Sequence, residues 1–356
     1  MKQFTVQSIF YLAAATALAA CGGGGSSGSG NPAAPAPAPA PDTGTLSGAI
    51  TDAAVDEVIE VNLRVTALEL RQGDDAGQDP VVIDLTDPDT GEPMTFNLLD
   101  YQNGETLELF DGEEIPAGTY EQVRLVLEAP AQTPNACDGQ DPLLGSYVVE
   151  DDMGTLAGIF VPSGANNGIR LSAPFEVPAG GSTAIVVDFD LRQSLHRPPP
   201  FDCYFLRPSY RIVETEDSGA IAGTVDVALM DGSNAMCSDD DPATGNAVYL
   251  YEGAGQTPGD LNGDDADASA EPFATAAVTF DPLAGNAGEG AYRIGFLPPG
   301  EYTAAFTCAA DLERNPDPEG ETEDERLAID DLMFQQPQDV PVDTGVTSTA
   351  DFTPEA

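Results

Sequence analysis

The stretch Val61-Asn62-Leu63-Arg64-Val65-Thr66-Ala67-Leu68-Glu69-Leu70 decides the fold class. Apolar residues fall at 61, 63 and 65 and then at 68 and 70, alternating with polar ones. A period of two puts one face of a strand against a core and the other towards solvent. The change of phase after Val65 predicts a β-bulge, where one extra residue is inserted into the pairing. Outward from this stretch the same pattern recurs at residues 45–50, 81–85, 94–98, 106–109, 119–127, 156–161 and 183–190, separated by Gly, Pro, Asp and Asn clusters that read as turns. No segment keeps a helical period for three turns, although residues 324–333 could form one short helix. The chain is predicted to be all-β.

One turn sequence returns three times: Ile115-Pro116-Ala117-Gly118, Val177-Pro178-Ala179-Gly180 and Leu297-Pro298-Pro299-Gly300. Pro presets φ and Gly supplies the positive φ of a type II turn. Tyr120 and Tyr302 follow two of these turns, as a ring does when it caps the edge of a sandwich core. Residues 214–219 read as a boundary between two domains, because Tyr210-Arg211-Ile212-Val213 ends one strand and the run from Gly219 to Val225 starts another. Strands are then expected at 220–227, 247–251, 276–280, 292–296, 302–308 and 347–352.

The chain has 356 residues and a formal net charge of -49, and Lys2 is its sole lysine. Such a surface excludes nucleic acid as a partner and is repelled by anionic lipid head groups. A charge of this size suits a salty exterior, where counterions screen it within about 10 Å. The N-terminal run over residues 9–20 is too short to span a bilayer and ends in Leu18-Ala19-Ala20-Cys21. Gly and Ser fill residues 22–30, and Pro alternates with Ala over 32–41, so a flexible tether precedes a stiffer spacer reaching roughly 30 Å.

With Cys21 set apart, Cys137, Cys203, Cys237 and Cys308 remain. An exported chain would oxidise them. Three pairings are open, and the domain boundary favours Cys137 with Cys203 and Cys237 with Cys308. One spacing has a ligand logic: Asp260, Asn262, Asp264 and Glu271 stand at positions 1, 3, 5 and 12 of a calcium-type loop. Asp265 occupies the sixth position, where such loops use Gly. Calcium is therefore a candidate ion, and no other cofactor is implied.

Catalytic signatures are absent from the sequence. There is no Gly-x-Ser-x-Gly elbow, phosphate loop or His-Glu-x-x-His, and His196 is the lone histidine, placed by its neighbours in a loop. No enzyme is expected, with a carboxylate-based hydrolase the distant exception. Sugar binding through aromatic platforms lacks Trp, leaving Tyr101, Phe201 and Tyr204 as aromatic residues outside the alternation.

The N-terminus resembles a bacterial lipoprotein signal, which implies cleavage after residue 20, lipidation of Cys21 and, with Gly22 next, sorting to the outer membrane. Residues 44–215 resemble the bacterial domain-of-unknown-function family 4382. The matching segments are Gly44-Thr45-Leu46-Ser47, Asn97-Leu98-Leu99, Ile115 to Tyr120, and Phe175 to Gly180 with Val187-Asp188-Phe189-Asp190-Leu191-Arg192 and Leu206-Arg207-Pro208. That family brings no catalytic residues. Residues 219–356 look like a prealbumin-like, carboxypeptidase regulatory-like module, carried by Gly223-Thr224-Val225, Tyr292-Arg293-Ile294 and Leu297 to Thr303, with acidic insertions at 234–246 and 255–271. Together these imply two tandem β-sandwiches of immunoglobulin or prealbumin type behind a linker at 21–43. The expected role is a membrane-anchored structural or interaction module of the cell envelope. Its partner would be a glycan or an envelope protein.

Overall fold

Alternation in the sequence becomes alternation in burial. In the computed structural model Val61, Leu63, Val65, Leu68 and Leu70 are buried while Arg64, Glu69 and Arg71 lie half-buried on the opposite face. The pairing register of this strand shifts between Val65 and Ala67, the expected bulge. The structure describes residues 42–53, 58–73, 79–128, 141–161, 169–197, 201–207, 209–231, 237, 245–261, 269–280, 288–312 and 332–354. The expectations for the signal and linker, Cys21, Cys137, Asn262, Asp264 and most of the 324–333 segment lie outside these residues.

The first lobe begins with β1 (Thr43–Ala53), β2 (Glu60–Arg71), β3 (Val81–Asp84), β4 (Met94–Asn97), β5 (Leu107–Pro116), β6 (Gly118–Leu127) and β7 (Tyr147–Val149). It continues with β8 (Leu156–Phe160), β9 (Ile169–Val177), β10 (Ser182–Asp190), β11 (Leu195–His196), β12 (Tyr204–Leu206) and β13 (Tyr210–Glu214). One sheet runs β13-β10-β1-β5, with β1 and β10 parallel. The other runs β11-β12-β8-β7-β2-β6-β9, and β3 and β4 also pair with β2. Leu46 and Ile50 of β1 and Ile185, Val187 and Phe189 of β10 share a core with the buried row of β2 and with Val123 and Leu125 of β6. Two sheets covering one apolar layer make a sandwich.

The second lobe holds β14 (Gly219–Asp226), β15 (Ala247–Glu252), β16 (Ala274–Ala277), β17 (Glu289–Leu297), β18 (Gly300–Thr307), β19 (Gln335–Val342) and β20 (Thr347–Thr349). Its sheets run β17-β14-β20 and β16-β15-β18-β19. Ile221, Val225, Tyr292 and Ile294 from the first meet Val248, Leu250, Ala304 and Phe306 from the second. At Gly223 the chain passes so close to its neighbour that a Cβ would lie 1.9 Å from the Ala350 carbonyl oxygen, so only Gly fits. All described strands from residues 43 to 349 fall within one compact unit.

Both lobes close a Pro-Gly corner in the same way. The Tyr120 hydroxyl donates to the Pro116 carbonyl at 2.7 Å, and Tyr302 donates to Pro298 at 2.8 Å. Gly118 and Gly180 take the expected positive φ, of 143° and 70°. The third turn corrects the expectation: Gly300 is outside that region and Phe296, one residue before the turn, takes φ 53°. Further elements escaped the sequence reading. Edge strand β19 carries Pro337 and Pro341, which an edge tolerates because one side of its backbone needs no ladder partner. The short helices α1 (Leu191–Ser194) and α2 (Val227–Met230) are each a single turn, fixed by Asp190 accepting from the Gln193 N–H and Asp226 accepting from the Ala228 N–H.

Candidate functional site

Pairing register delivers the site. Antiparallel pairing of β10 with β13 sets Asp188 opposite Arg211 and Phe189 opposite Tyr210, and parallel pairing of β10 with β1 sets Thr51 beside Asp188 and Asp52 beside Phe189. The Phe189 and Tyr210 rings stack at 4.9 Å on one face of the sheet. On the other face the Arg211 guanidinium contacts the Asp188 carboxylate at 2.5 Å and lies 4.6 Å over the Phe273 ring of the second lobe. Arg211 also donates to the Phe273 carbonyl at 3.4 Å.

A second arginine ties the lobes nearby. Arg192 on α1 donates to the Ala310 carbonyl at 2.9 Å and lies 5.9 Å over the Tyr249 ring. A third, Arg293 of β17, donates its backbone N–H to the Asn103 side-chain oxygen at 3.3 Å, while the Asn103 amide donates to Thr279 at 3.4 Å. Asn103 and Gly104 have φ of 56° and 83°, and the Glu105 N–H closes on the Gln102 carbonyl at 3.1 Å. Positive φ at both central residues is the Asn-Gly turn of a hairpin, used here to push a loop tip against the second lobe. A Cβ on Gly104 would lie 2.8 Å from the Arg293 Nε. Three of the twelve basic residues of a chain with net charge -49 thus meet where the lobes touch.

Between these contacts lies a cleft of about 250 Å³. The first lobe lines it with Thr51, Asp52, residues 102–104, Asp188 to Asp190, Gln193 and Ser209 to Arg211. The second contributes Pro272 to Ala277 and Arg293 to Phe296. Burial pushes the Asp188 carboxyl upward against the pull of Arg211, and pushes Asp190 upward against the Gln193 amide and Arg192. Both carboxylates are occupied, Asp188 by Arg211 and Asp190 by the backbone and side-chain amides of Gln193 at 3.0 and 3.1 Å. Asp52 accepts from the Leu191 N–H at 3.2 Å. By contrast the Tyr210 hydroxyl, Arg211 Nε and Thr275 Oγ1 are buried without a hydrogen-bond partner. Buried polar atoms in native proteins are almost always paired, so three orphans around one cleft mark a place shaped for something polar.

The residues singled out by sequence fare unevenly. Cys237 and Cys308 are joined by a disulfide. Cys203 is buried and also disulfide-bonded; Cys137, its expected partner, is outside the described residues. Asp260 is buried and Glu271 exposed, on either side of the Pro258–Ala270 bridge that closes the candidate calcium loop. Burial, followed by the charges of these two carboxylates, pushes the Tyr251 phenol upward. Among the described residues no three His, Cys, Asp or Glu side chains gather as a metal site. His196 corrects an expectation, since it sits in β11 and not in a loop, half-buried at 5.7 Å from the Phe205 ring, and burial holds its pKa below the usual value. Tyr204 is buried in the first core, and Tyr101 and Phe201 are packed edgewise or tilted against Phe96 and Phe205, so none of the three is an open platform. No described helix is long and apolar enough to cross a membrane.

The cleft itself went unnoticed in the sequence, although two signals lay there. Asn103-Gly104 is a tight-turn pair, and the arginines that build the junction stand out against so acidic a background.

No curated protein matches this chain. Among solved structures, the Bacillus anthracis TIE protein is 14% identical over 87% of this chain and 33% of its own, at a TM-score of 0.18, so this chain spans about a third of that protein. A minor pilin of Streptococcus agalactiae, GBS52, is 14% identical over 87% of this chain and 98% of its own, at 0.17. A putative cell adhesion protein of Bacteroides fragilis is 8% identical over 86% and 91%, at 0.20. Likeness at this level assigns no function. Residues 43–208, nearly all of the first lobe, match the family described as a domain of unknown function (DUF4382), as the sequence segments led us to expect.

Proposed function

We propose that this chain is a non-enzymatic interaction module of the cell envelope, anchored by lipid on Cys21, whose recognition site is the cleft between the two lobes. The observation that carries the reading is the convergence of both lobes on one cleft with three unpartnered polar atoms. Carboxylates already occupied by Arg211 and by the Gln193 amides favour holding a ligand over transferring protons. The Gly/Ser and Pro/Ala segments at 22–41 act as a stalk, and the second lobe, read as prealbumin-like, gives the first a rigid partner.

Co-sedimentation of the full-length protein in mild detergent with insoluble envelope polymer tests this. Gln102 lines the cleft mouth half-exposed, so Gln102→Trp fills the opening without touching either core. Wild type should sediment and Gln102→Trp should stay soluble with an unchanged melting curve. Equal sedimentation of the two proteins, or none of either, refutes the cleft as the recognition site. Incorporation of labelled palmitate in wild type, and its loss in Cys21→Ser, tests the anchor separately.

A further inference from the structure

We propose that the inter-lobe cleft binds a neutral, hydroxyl-rich ring, such as the terminal sugar of an envelope glycan. This rests on the cleft being the recognition site, as above. Charge decides the class. Asp52, Asp188 and Asp190 line the cleft together with Arg211 and Arg293, so it carries charges of both signs within a strongly acidic chain. An anion would meet three carboxylates. A cation would have to displace Arg211 from Asp188 or the Gln193 amide from Asp190, each already bonded. What stands unpaired is two hydroxyls and one N–H: Tyr210, Thr275 and Arg211 Nε. Hydroxyls both donate and accept, and a guanidinium N–H donates, so their complement is a ligand rich in hydroxyl groups.

Shape agrees with charge. Thr275 is 3% exposed, and the β15 pairing sets it opposite Tyr249, on the sheet face away from the second core that holds Ala274 and Ala276. The cleft is also walled by Phe296, whose apolar surface suits the C–H face of a sugar ring. A volume of about 250 Å³ admits one such ring and excludes a longer stretch of chain, so the glycan would be met at its end. Phe296 keeps a positive φ of 53° at this wall, and strained backbone of this kind gathers at ligand sites.

The test is titration of the full chain, followed by ligand-observed NMR, with glucose, galactose, mannose and N-acetylglucosamine, against glucuronic acid and glucosamine. Binding is expected for at least one neutral sugar with Kd on the order of 1 mM, the scale for so small a ligand. The uronate and the amino sugar should bind at least about tenfold more weakly. Thr275→Val and Tyr210→Phe should each weaken the neutral sugar about five- to tenfold, the loss of one hydrogen bond, with melting curves showing that both variants fold. The proposal is overturned if no neutral sugar binds, if a charged sugar binds as well, or if neither substitution weakens binding. Should the sugars fail while Gln102→Trp still abolishes sedimentation, the ligand class falls and the recognition site stands. Should Gln102→Trp have no effect on sedimentation, the site falls as well.

Discussion

Arg211→Met removes the cation at the centre of the junction and keeps most of its side-chain volume. Asp188 is left with only 11% of its side chain exposed, facing a methionine where its guanidinium stood. A lone buried carboxylate must either stay charged without a counter-ion or take up a proton, and breaking a buried pair in this way costs about 3 to 5 kcal/mol. Arg211 also covers the Phe273 ring and donates to its carbonyl, so the lower part of that range is a floor. At roughly 2 to 4 °C per kcal/mol for a domain of about 150 to 250 residues, the melting temperature should drop by about 10 °C. Asp188→Asn alone should cost only about 1 kcal/mol, because burial already disfavours the charged carboxylate and Arg211 retains its contacts to Phe273. The double variant should then be more stable than Arg211→Met by itself, since the orphaned charge is gone. Acid should rescue the single variant. A carboxyl raised in the folded state contributes stability that is present below its unfolded value near 3.9 and lost as pH rises through the folded one, so the Arg211→Met deficit shrinks on acidification from pH 7 towards pH 5. Thermal melts of the full chain at several pH values measure all of this. An Arg211→Met protein as stable as wild type, or a double variant less stable than that single one, refutes the reasoning.

Four other outcomes follow from the same structure. Tyr302→Phe and Tyr120→Phe should each cost about 1 kcal/mol in urea melts, with Tyr120 the milder because Gln72 also donates to the Pro116 carbonyl at 3.3 Å. Gly104→Ala combines a left-handed φ with a 2.8 Å contact to Arg293 and should lower stability by about 1 to 2 kcal/mol, whereas Gly91→Ala, equally left-handed but with open space around it, bears only the backbone share. Reduction of Cys237–Cys308, 71 residues apart, removes a cross-link worth about 4 kcal/mol in the chain-entropy account and should lower the melting temperature even at neutral pH. His196 has a folded value held below its unfolded one near 6.5, so its contribution is present above that value and lost as pH falls; His196→Phe should therefore gain on wild type between pH 7.5 and 5.

Much of the fold was legible because its determinants are local. Alternation exposed β2 and even its bulge, and the Pro-Gly-Tyr corners announced themselves through residues that have few other reasons to stand together. β19 stayed hidden because Pro337 and Pro341 read as breakers, and only its place at a sheet edge makes them harmless. The cleft was illegible for a different reason. Asp188 and Arg211 are 23 positions apart and Phe273 is 62 further on from Arg211, so their meeting depends on strand order and on how the lobes dock, neither of which has a local signature. Val187 to Arg192 stood out as a motif without any hint that Asp188 and Asp190 would line a cavity. Tyr204 misled in the opposite sense, since breaking the alternation does not place a ring in solvent when its short strand pairs alongside β8 within the sheet.

The account stands on the two lobes being docked around a shared cleft. Because the chain has no tryptophan, Phe273→Trp would place a single indole at the junction, beneath the Arg211 guanidinium. Its emission and its quenching by acrylamide in native buffer are the direct measurement. Docked lobes predict a blue-shifted, protected indole that becomes exposed only at the main unfolding transition. A solvated, freely quenched indole in the native protein would contradict the docking, and with it the cleft.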